Sequence, residues 1–324
     1  IFWCIKRYSM KNFIYASDII DLNRFIGKSI KLKQSPNKYS MIGDNKTLGV
    51  IFFNPSLRTR LSTQKAAQNL GIKTIIMNFN GEGWPIEFED KMVMDQNKSE
   101  HIKEAARVMS IYCDFIAVRA FPSLENKKED LADKVINGFK RYASVPVINM
   151  ESSIAHPLQA LADAITIEEN KKNKTPKVVL SWAPHPKALP HAVANSFVNV
   201  TKRMDAKLTI THPEGYELNS NITNGIYVTN DQNEAFKNAD FIYAKNWSSF
   251  NNYGKVLKKD LDWMITKSKM NLTNNAKFMH CLPIRRNVVA SDDVIDSNSS
   301  LILNQVENRI YSAQSVLKTI IENG

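Results

Sequence analysis

Eight short runs rich in β-branched and aromatic residues recur along the chain, each with a length typical of a strand. Most of the runs are separated by segments with helical spacing of apolar residues, such as 99–112, where Ser99 is the predicted N-cap. Strands that alternate with helices are typical of parallel sheets covered on both faces, so the pattern predicts an α/β protein. The predicted strands are 47–53, 73–79, 114–120, 145–150, 177–183, 207–212, 240–245 and 277–283.

The chain of 324 residues is long enough for two domains, and the helical segment that starts near Ser152 marks the boundary between them. We predict two doubly wound domains, each with a central parallel sheet flanked by helices, over residues 10–151 and 152–300. A last helical stretch within 301–324 either closes the second domain or packs back on the first. Helical spacing also occurs at 233–239.

Composition indicates a globular protein whose net charge allows two classes of function. Apolar residues make up 43% of the chain, and lysine and arginine exceed the acidic residues to give a formal net charge of +11. Such a charge suits either a protein that handles small anions or a non-enzymatic nucleic-acid binder. The lysines are scattered among acidic residues and asparagines, and no basic run has interleaved aromatic residues. This distribution favours a solvated basic surface and argues against a nucleic-acid partner.

Three cysteines, Cys4, Cys113 and Cys281, have neither CxxC spacing nor an even count, so we predict neither a disulfide framework nor a metal site. No run reaches the roughly 18 apolar residues that a spanning helix needs, and the amino-terminal apolar stretch is too short for a secretory signal. These observations predict a cytoplasmic protein without a membrane partner. Met10 is a candidate natural start, and residues 1–9 are expected to be poorly structured.

Polar or charged side chains follow six of the predicted strands at the point where each apolar run ends. In open parallel sheets, ligands bind beyond the carboxyl ends of the strands, so these residues are the first candidates for a functional site. We expect the six strand ends to lie at one edge of the fold. The candidates are Ser56 to Arg60, Arg119, Glu151, His185, Lys245 and Cys281.

The sequence SLRTR at 56–60 stands where a predicted strand gives way to a helix. A helix start exposes unpaired N–H groups and the positive end of the helix dipole, which together favour an anion. Ser56 and Thr59 add hydroxyls, and Arg58 and Arg60 carry planar guanidinium groups that match phosphate oxygens. The alternative is that Ser56 only caps the helix and the arginines face solvent, and SLRTR by itself does not separate the two.

The sequence HPLQ at 156–159 predicts a second helix start, because proline suits the first turn. From this position His156 would donate a hydrogen bond to a carbonyl oxygen, and Gln159 would bond an amide. The alternative is that His156 is an ordinary surface or capping residue, which HPLQ alone does not exclude.

The sequence HCLPIRRN places a small thiol beside two arginines. Cys281 is either a nucleophile or, since no base is evident nearby, an inert buried thiol. In the second case the main-chain carbonyls of Cys281 and Leu282 would bind an NH₂ group. Arg285 and Arg309 either add positive charge to a site or form plain surface ion pairs. Trp84, in a glycine-bearing loop, either packs or covers a ligand.

The chain resembles the carbamoyltransferases through SLRTR, Arg119, HPLQ, HCLP and Arg309, which occur in the order and at the separations typical of that family. WPIEF, INMES, WAPHPK, YAKNW and LPIRRN look like the branch that acts on N-acylated ornithine, and the resemblance extends from about Lys11 to the end of the sequence. It implies transfer of a carbamoyl group from carbamoyl phosphate to the δ-amine of an acylated ornithine in arginine biosynthesis. It also implies a homotrimer with sites at subunit interfaces, and neither a cofactor nor a metal.

Carried over residue by residue, the resemblance implies three sets of site residues. The catalytic set is Arg58, Thr59, Arg119, His156 and Cys281. The carbamoyl phosphate set is Ser56, Leu57, Arg58, Thr59, Arg119, His156, Pro157, Leu158, Gln159, Cys281, Leu282 and Arg309, with Trp84 reaching the ligand of a neighbouring subunit. The acylornithine set is Ser99, Glu151, His185, Lys245 and Arg285.

Two positions bear on the acyl group of the acceptor. Relatives acting on N-acetylornithine have a glutamate fifteen residues after the tryptophan that corresponds to Trp84, and those acting on N-succinylornithine have proline; this chain has Ser99. The acetyl branch also has a lysine that can be carboxylated two residues after RRN, where this chain has Val289. A negative group at either site would repel the succinyl carboxylate. The absence of both favours N-succinylornithine, with N-acetylornithine as the alternative acceptor.

Overall fold

The computed structural model describes residues 10–79, 81–257 and 261–323. The expectations for residues 1–9 and Cys4 lie outside these ranges. Within them, no helix combines the length and the apolar character needed to cross a membrane.

All eight predicted strands are present, which confirms the α/β class. Three further strands of two or three residues were not predicted, because such short segments carry little hydrophobic periodicity of their own. The strands are β1 (Thr47–Phe52), β2 (Lys73–Asn78), β3 (Ile86–Glu87), β4 (Glu100–His101), β5 (Phe115–Arg119), β6 (Val147–Glu151), β7 (Lys177–Trp182), β8 (Lys207–Thr211), β9 (Tyr227–Thr229), β10 (Phe241–Lys245) and β11 (Lys277–Met279).

Helices occupy most of the segments between the strands. The α-helices are α1 (Leu22–Gln34), α2 (Arg58–Asn69), α3 (Ile102–Tyr112), α4 (Lys127–Leu131), α5 (Lys134–Tyr142), α6 (Pro157–Asn170), α7 (Ala192–Thr201), α8 (Ser220–Thr223), α9 (Gln232–Phe236), α10 (Lys267–Met270), α11 (Asp292–Ile295) and α12 (Ile302–Asn323). Short 3₁₀ turns lie at Ala16–Asp18 and Leu261–Trp263.

Two predicted helix starts are wrong. Ser99 does not cap α3; the cap is His101, whose Nδ1 accepts a hydrogen bond of 3.1 Å from the Lys103 backbone N–H. The helix expected from Ser152 begins five residues later, because the Ser152 N–H bonds the Ala155 carbonyl at 2.8 Å and closes a turn, after which Pro157 opens α6. In both places a local hydrogen bond, invisible in the apolar pattern, sets the boundary.

The strands form two parallel sheets. The first has the order β2-β1-β5-β6 and the second has the order β11-β10-β7-β8-β9, with β3 and β4 paired separately. In each sheet one early strand has neighbours on both sides, β1 in the first and β7 in the second, so the chain reverses its winding direction there. Such a reversal opens a crevice beyond the carboxyl ends of the strands. The predicted pair of doubly wound sheets flanked by helices is confirmed.

The final helix α12 packs on the first sheet's side of the molecule. Its residues Val316, Leu317 and Ile320 share a core cluster with Leu48 and Val50 of β1. Polar contacts hold α12 in the same position, since buried hydrogen bonds join it to α1 and to α2. The domain boundaries at 151 and 300 stay a prediction.

Candidate active site

A cleft of about 300 Å³ lies between the carboxyl ends of the two sheets. It gathers side chains from all six strand ends that the sequence singled out, together with the starts of α2 and α6 and one residue of α12. The predicted residues that line it are Ser56, Leu57, Arg58, Thr59, Arg119, Glu151, His156, Gln159, His185, Lys245, Cys281, Leu282 and Arg309.

The sequence predicted that the six strand ends lie at one edge of the fold. Instead, they are divided between two sheets. Three follow β1, β5 and β6 of the first sheet, and three follow β7, β10 and β11 of the second. The chain leaves the first sheet after β6, so the later strands build a second edge that faces the first across the cleft. The functional side chains are therefore divided between two facing half-sites.

The start of α2 forms one wall of the cleft. Ser56 Oγ accepts a hydrogen bond of 3.2 Å from the Thr59 backbone N–H, so the capping role weighed for Ser56 is present in the fold. Arg58, the first residue of α2, nevertheless faces the cleft, and partial burial lowers the pKa of its guanidinium. Arg60 does not line the cleft and faces a separate depression beside Asn78. Capping and an anion site at this helix start are thus compatible.

Arg119 ties β5 to the loop that precedes α2. Its Nη1 donates to the carbonyl oxygens of Asn54 and Pro55 at 3.0 and 2.6 Å, and its Nε donates to Glu151 Oε2 at 3.0 Å. The guanidinium carbon also lies 4.2 Å from the centroid of the Phe121 ring. Four partners fix the orientation of this buried cation, which is the kind of preorganisation that stabilises charge without further rearrangement.

Arg309 reaches the same wall from α12. Its Nη1 donates to Gln159 Oε1 at 2.6 Å and its Nη2 donates to Thr59 Oγ1 at 2.7 Å. Burial lowers its pKa to about 10, so the group keeps its positive charge at neutral pH. Among the described residues its Nε has no hydrogen-bond partner. Arg309 therefore adds a second fixed cation to the α2 wall.

His156 is buried where the two walls meet. Its Nε2 lies 3.4 Å from Glu151 Oε2, and its backbone N–H donates to Ser196 Oγ at 2.8 Å. Burial, with the nearby charges of Arg309 and Arg119, holds the pKa of His156 well below its usual value. The neutral form of the imidazole is therefore favoured, in which one ring nitrogen carries a proton that can be donated. Pro157 and Leu158 are buried behind it and do not line the cleft.

Glu151 is the buried carboxyl group on the first sheet's side of this wall. Burial raises its pKa, and the adjacent Arg119 guanidinium opposes that rise. The ion pair with Arg119 at 3.0 Å holds the carboxyl group in place. Glu151 thus presents a fixed carboxyl group to the cleft.

The second half-site contains His185, Lys245 and the segment after β11. Lys245 is buried at the end of β10 and faces the cleft. Arg285 is exposed at the rim, outside the lining of the cleft, and its Nε donates to His185 Nε2 at 3.1 Å. Lys245 and Arg285 thus place two basic side chains on this side of the molecule, one in the cleft and one at its rim.

Cys281 lines the cleft as a buried thiol. Burial raises its pKa, so the neutral thiol is favoured over the thiolate that a nucleophile needs. Leu282 beside it has a positive φ of 58° and donates its N–H to His280 Nδ1 at 2.9 Å. The inert-thiol alternative from the sequence therefore agrees better with the environment than the nucleophile does.

Trp84 and Ser99 lie apart from this cleft. Trp84 is 53% exposed, and its Nε1 donates to Glu100 Oε2 at 2.8 Å. Ser99 is exposed, and its backbone N–H bonds the Pro85 carbonyl at 3.2 Å beside the β3–β4 pair. Within one chain, the structure does not bring either residue to the site.

Two family models match the chain. The carbamoyl-P binding domain of the aspartate/ornithine carbamoyltransferases matches residues 11–169, and the Asp/Orn binding domain matches residues 190–320. The chain belongs to the aspartate/ornithine carbamoyltransferase family. The alternative of a non-enzymatic nucleic-acid binder is therefore set aside.

Similar carbamoyltransferases extend over almost the whole chain. An N-succinylornithine carbamoyltransferase of Bacteroides fragilis is 49% identical over 97% of this chain and 99% of its own. An N-acetylornithine carbamoyltransferase of Xanthomonas campestris pv. campestris is 34% identical over 97% of this chain and 98% of its own. Among solved structures, a glutamate-to-serine mutant of N-acetyl-L-ornithine transcarbamylase, complexed with carbamyl phosphate and N-succinyl-L-norvaline, has a TM-score of 0.89 at 35% identity, over 95% of this chain and 98% of that one.

Several residues of this carbamoyltransferase site were missed from the sequence. Phe121 lines the cleft two residues after Arg119. Its position just beyond the end of a strand could have identified it as a candidate site residue. Asp163 lies behind the cleft and accepts hydrogen bonds from Gln159 at 2.7 Å and from Gln305 at 2.8 Å. Burial raises the pKa of Asp163 to about 6. In the sequence, only the spacing of four residues between Gln159 and Asp163, about one helical turn, indicated the contact between these two side chains.

Proposed function

We propose that this carbamoyltransferase transfers the carbamoyl group of carbamoyl phosphate to the δ-amine of N-succinyl-L-ornithine, giving N-succinyl-L-citrulline and phosphate in arginine biosynthesis. The observation that carries the proposal is the cleft itself, in which an arginine-rich helix start faces a second cationic half-site. The 49% identity to a protein named N-succinylornithine carbamoyltransferase supports the same acceptor.

The α2 wall suits carbamoyl phosphate. The N–H groups at the start of α2, Ser56 and the charges of Arg58 and Arg309 are complementary to a phosphate dianion. Thr59, Arg119 and neutral His156 supply donors for the carbamoyl oxygen. The main-chain carbonyls of Cys281 and Leu282 would accept from the carbamoyl NH₂ group. Each atom of this small ligand thus has a partner of matching polarity.

The opposite half-site suits the acylated ornithine. Lys245 and Arg285 are positive, and N-succinylornithine carries two carboxylates, so the charges are complementary. His185 accepts a hydrogen bond of 3.1 Å from Arg285 and so holds that arginine at the rim of the cleft. Glu151, between the two halves, is available to the polar end of the acceptor. The acceptor would therefore approach the carbamoyl carbon from the side of the second sheet.

The reaction needs no covalent enzyme intermediate. The neutral δ-amine attacks the carbamoyl carbon, a C–N bond forms, and the tetrahedral intermediate then breaks its C–O bond to phosphate. The departing phosphate takes the proton that the amine loses. Donors from Thr59, Arg119 and His156 stabilise the developing negative charge on the carbonyl oxygen, and Arg58 and Arg309 stabilise the leaving group. Positioning the two substrates together supplies the rest.

Two positions support the succinyl group over the acetyl group. Val289, where the acetyl branch has a carboxylatable lysine, is 3% exposed and packs in the core of the second sheet, so it brings no negative charge to the acceptor. Ser99 stands where that branch has glutamate. Mutants of N-acetyl-L-ornithine transcarbamylase with one glutamate replaced by serine or by proline are described as complexes with N-succinyl-L-norvaline. A serine at Ser99 fits the same acyl group.

The protein is proposed to be a homotrimer whose sites combine two subunits. The exposed position of Trp84 supports this, because a large apolar side chain that is half exposed is suited to contact with another subunit. Ser99 and Trp84 lie on the same β3–β4 region, so both would reach a neighbouring subunit's cleft together. The cytoplasmic location stays a prediction.

An acceptor comparison tests the proposed function. Purified protein is incubated with carbamoyl phosphate and, in separate reactions, with N-succinyl-, N-acetyl- or unmodified L-ornithine, and the ureido product is measured. We expect the highest kcat/KM with N-succinyl-L-ornithine. A preference for N-acetyl-L-ornithine would change the acceptor and leave the carbamoyl transfer intact. No ureido product with any of the three would overturn the proposed activity.

A further inference from the structure

A buried carboxyl group behind the cleft connects two segments that we assign to carbamoyl phosphate. Asp163 on α6 is fully buried and does not line the cleft. Its Oδ1 accepts hydrogen bonds from Gln159 Nε2 at 2.7 Å and from Gln305 Nε2 at 2.8 Å. Gln159 lies about one turn earlier on the same helix, whereas Gln305 belongs to α12. One oxygen atom therefore holds a side chain from each of the two helices.

The contact with Asp163 determines which way the Gln159 amide points. Burial raises the pKa of Asp163 to about 6, so the group is mostly ionised at neutral pH and can only accept hydrogen bonds. Arg309 Nη1 lies 2.6 Å from Gln159 Oε1, and a guanidinium can only donate. The Gln159 NH₂ group must therefore face Asp163 and its oxygen must face Arg309. Arg309 also donates to Thr59 Oγ1 at 2.7 Å, so this side of the network reaches the start of α2.

Gln305 is oriented in the same way. It is 1% exposed, and its Oε1 accepts the backbone N–H of His280 at 2.8 Å. His280 Nδ1 in turn accepts the Leu282 N–H at 2.9 Å, which stabilises the turn 280–282 after β11. The main-chain carbonyls of Cys281 and Leu282 in this turn are those assigned to the carbamoyl NH₂ group. The other side of the network therefore reaches the carbamoyl end of the ligand.

Removal of the Asp163 carboxyl group would leave two buried donors without an acceptor. Within the described ranges, Asp163 is the hydrogen-bond partner of the NH₂ groups of both Gln159 and Gln305. A buried donor without an acceptor is unfavourable, so each amide would turn toward another partner. Gln159 would then lose its orientation toward Arg309, and Gln305 would lose its hold on the turn 280–282.

We propose that Asp163 is a positioning residue of the carbamoyl phosphate site, which fixes Gln159 on one side and, through Gln305, the turn 280–282 on the other. Neither Asp163 nor Gln305 touches the ligand, since neither lines the cleft. Both act by keeping donors and carbonyls in one geometry before the ligand binds, which is the preorganisation that this chemistry requires. The inference rests on the proposed function, because it deepens the assignment of this site to carbamoyl phosphate.

Two phosphonates separate recognition of the carbamoyl group from recognition of phosphate. Phosphonoacetamide keeps the carbonyl and NH₂ groups of carbamoyl phosphate, and a methylene group replaces the bridging oxygen, so it does not transfer its amide. Methylphosphonate lacks the amide. The dissociation constants of both are measured by calorimetry, and their ratio is the carbamoyl preference. The wild type should prefer phosphonoacetamide by about tenfold or more, the size expected for one or two additional hydrogen bonds.

Two substitutions at Asp163 differ in whether they keep the acceptor. Asp163→Leu removes it with a side chain of similar size, so this variant should lose most of the carbamoyl preference and raise KM for carbamoyl phosphate. Asp163→Asn keeps one oxygen that both glutamines can reach, so it should retain the preference. A loss in Asp163→Asn as large as that in Asp163→Leu would contradict the proposed role of the acceptor oxygen.

Gln305→Met tests the connection to the turn 280–282 by itself, also if Asp163→Leu does not fold. It should weaken binding of phosphonoacetamide by about threefold to tenfold and leave binding of methylphosphonate unchanged. Asn308→Leu is the matched control. Asn308 is also buried on α12, and it donates to Thr166 Oγ1 at 3.0 Å and to Glu169 Oε2 at 2.8 Å on α6, away from the cleft. Both variants should lower the melting temperature, but the control should keep the carbamoyl preference.

The outcomes separate the role of Asp163 from the activity. If Asp163→Leu and Gln305→Met keep the wild-type carbamoyl preference, or if Asn308→Leu changes it equally, the positioning role is refuted and the carbamoyl transfer stands. Equal affinities of the wild type for the two phosphonates would also refute it. A wild type that makes no ureido product overturns the proposed reaction, whereas loss of the preference in Asp163→Leu would still support the role of Asp163.

Discussion

Arg309 donates a hydrogen bond of 2.7 Å to Thr59, although the two residues are 250 positions apart in the sequence. The same guanidinium donates to Gln159 at 2.6 Å, so the final helix joins the starts of α2 and α6 at one point. Arg58, the residue before Thr59, lines the same cleft. The positive charge that we assign to the phosphate is therefore assembled from distant parts of the chain.

Arg58→Ala should lower kcat by more than about tenfold, because a donor aimed at developing charge is commonly worth ~3 kcal/mol. Lys65→Ala is the matched control, since Lys65 is exposed on the same helix and its replacement also removes one positive charge. Steady-state kinetics with carbamoyl phosphate as the varied substrate measures both. Equal kinetics for Arg58→Ala and the wild type would remove Arg58 from the site.

Cys281→Ala should keep kcat within about tenfold of the wild type. Burial raises the pKa of this thiol, so it does not supply a thiolate, and its proposed contact with the substrate is made by the main chain. Loss of a true nucleophile would instead cost several orders of magnitude in kcat. A loss of that size, together with a covalent adduct detected by mass spectrometry, would restore the nucleophile interpretation.

Ser99→Glu should lower kcat/KM for N-succinyl-L-ornithine and spare N-acetyl-L-ornithine. The new carboxylate would lie near the succinyl carboxylate and repel it, whereas the acetyl group carries no charge. Ser99→Gln has nearly the same size without the charge and serves as the control. Equal losses on both acceptors in Ser99→Glu would show that Ser99 does not lie at the acyl end.

Sites shared between subunits should allow two inactive variants to complement each other. Arg58→Ala and Trp84→Ala, each expected to have low activity alone, are co-expressed with different tags, and the doubly tagged trimers are purified. If each cleft takes Arg58 from one subunit and Trp84 from its neighbour, every mixed trimer contains one native site and regains activity. Mixed trimers as inactive as the two parents would confine the site to one chain.

Acid should destabilise the fold through His191. Burial lowers the pKa of this residue to about 4 from 6.5, so between these values the unfolded chain binds a proton that the folded chain does not. The free energy of unfolding therefore falls as the pH is lowered, by up to about 1.4 kcal/mol per pH unit from this group. His191→Gln should flatten that slope in urea unfolding between pH 4.5 and about 6.5. Parallel pH profiles for the two proteins would contradict the assignment.

The main strands could be predicted because buried parallel strands are nearly continuous apolar runs. The two sheets could not be separated from the same pattern, since an apolar run does not record which neighbour it pairs with. The final helix illustrates the same limit, because it begins at Ile302, ten residues before the stretch that the apolar pattern identified. Its first turns carry Gln305, Asn308 and Arg309, which are buried through polar contacts and so interrupt the apolar spacing.

The candidate site was predictable where a polar residue follows a strand, as with Arg119 and Lys245. It was not predictable where function depends on a partner across the fold. Gln305 donates a hydrogen bond of 2.8 Å to Asp163 behind the cleft, and no sequence pattern in either segment predicts this contact. The glycine-bearing loop indicated only that Trp84 packs or covers a ligand, and its assignment to a neighbouring subunit came from the family resemblance. Within one chain the side chain is 53% exposed and lies apart from the cleft.

The division of the cleft between two sheets has a consequence for how such enzymes diversify. The groups assigned to phosphate are anchored mainly in one sheet and in α12, and those assigned to the acceptor are anchored mainly in the other. Substitutions after β7 or β10 would alter what the acceptor half recognises without moving the groups assigned to the phosphate. One inherited half can therefore supply the same activated donor while the other half is free to evolve toward a new amine.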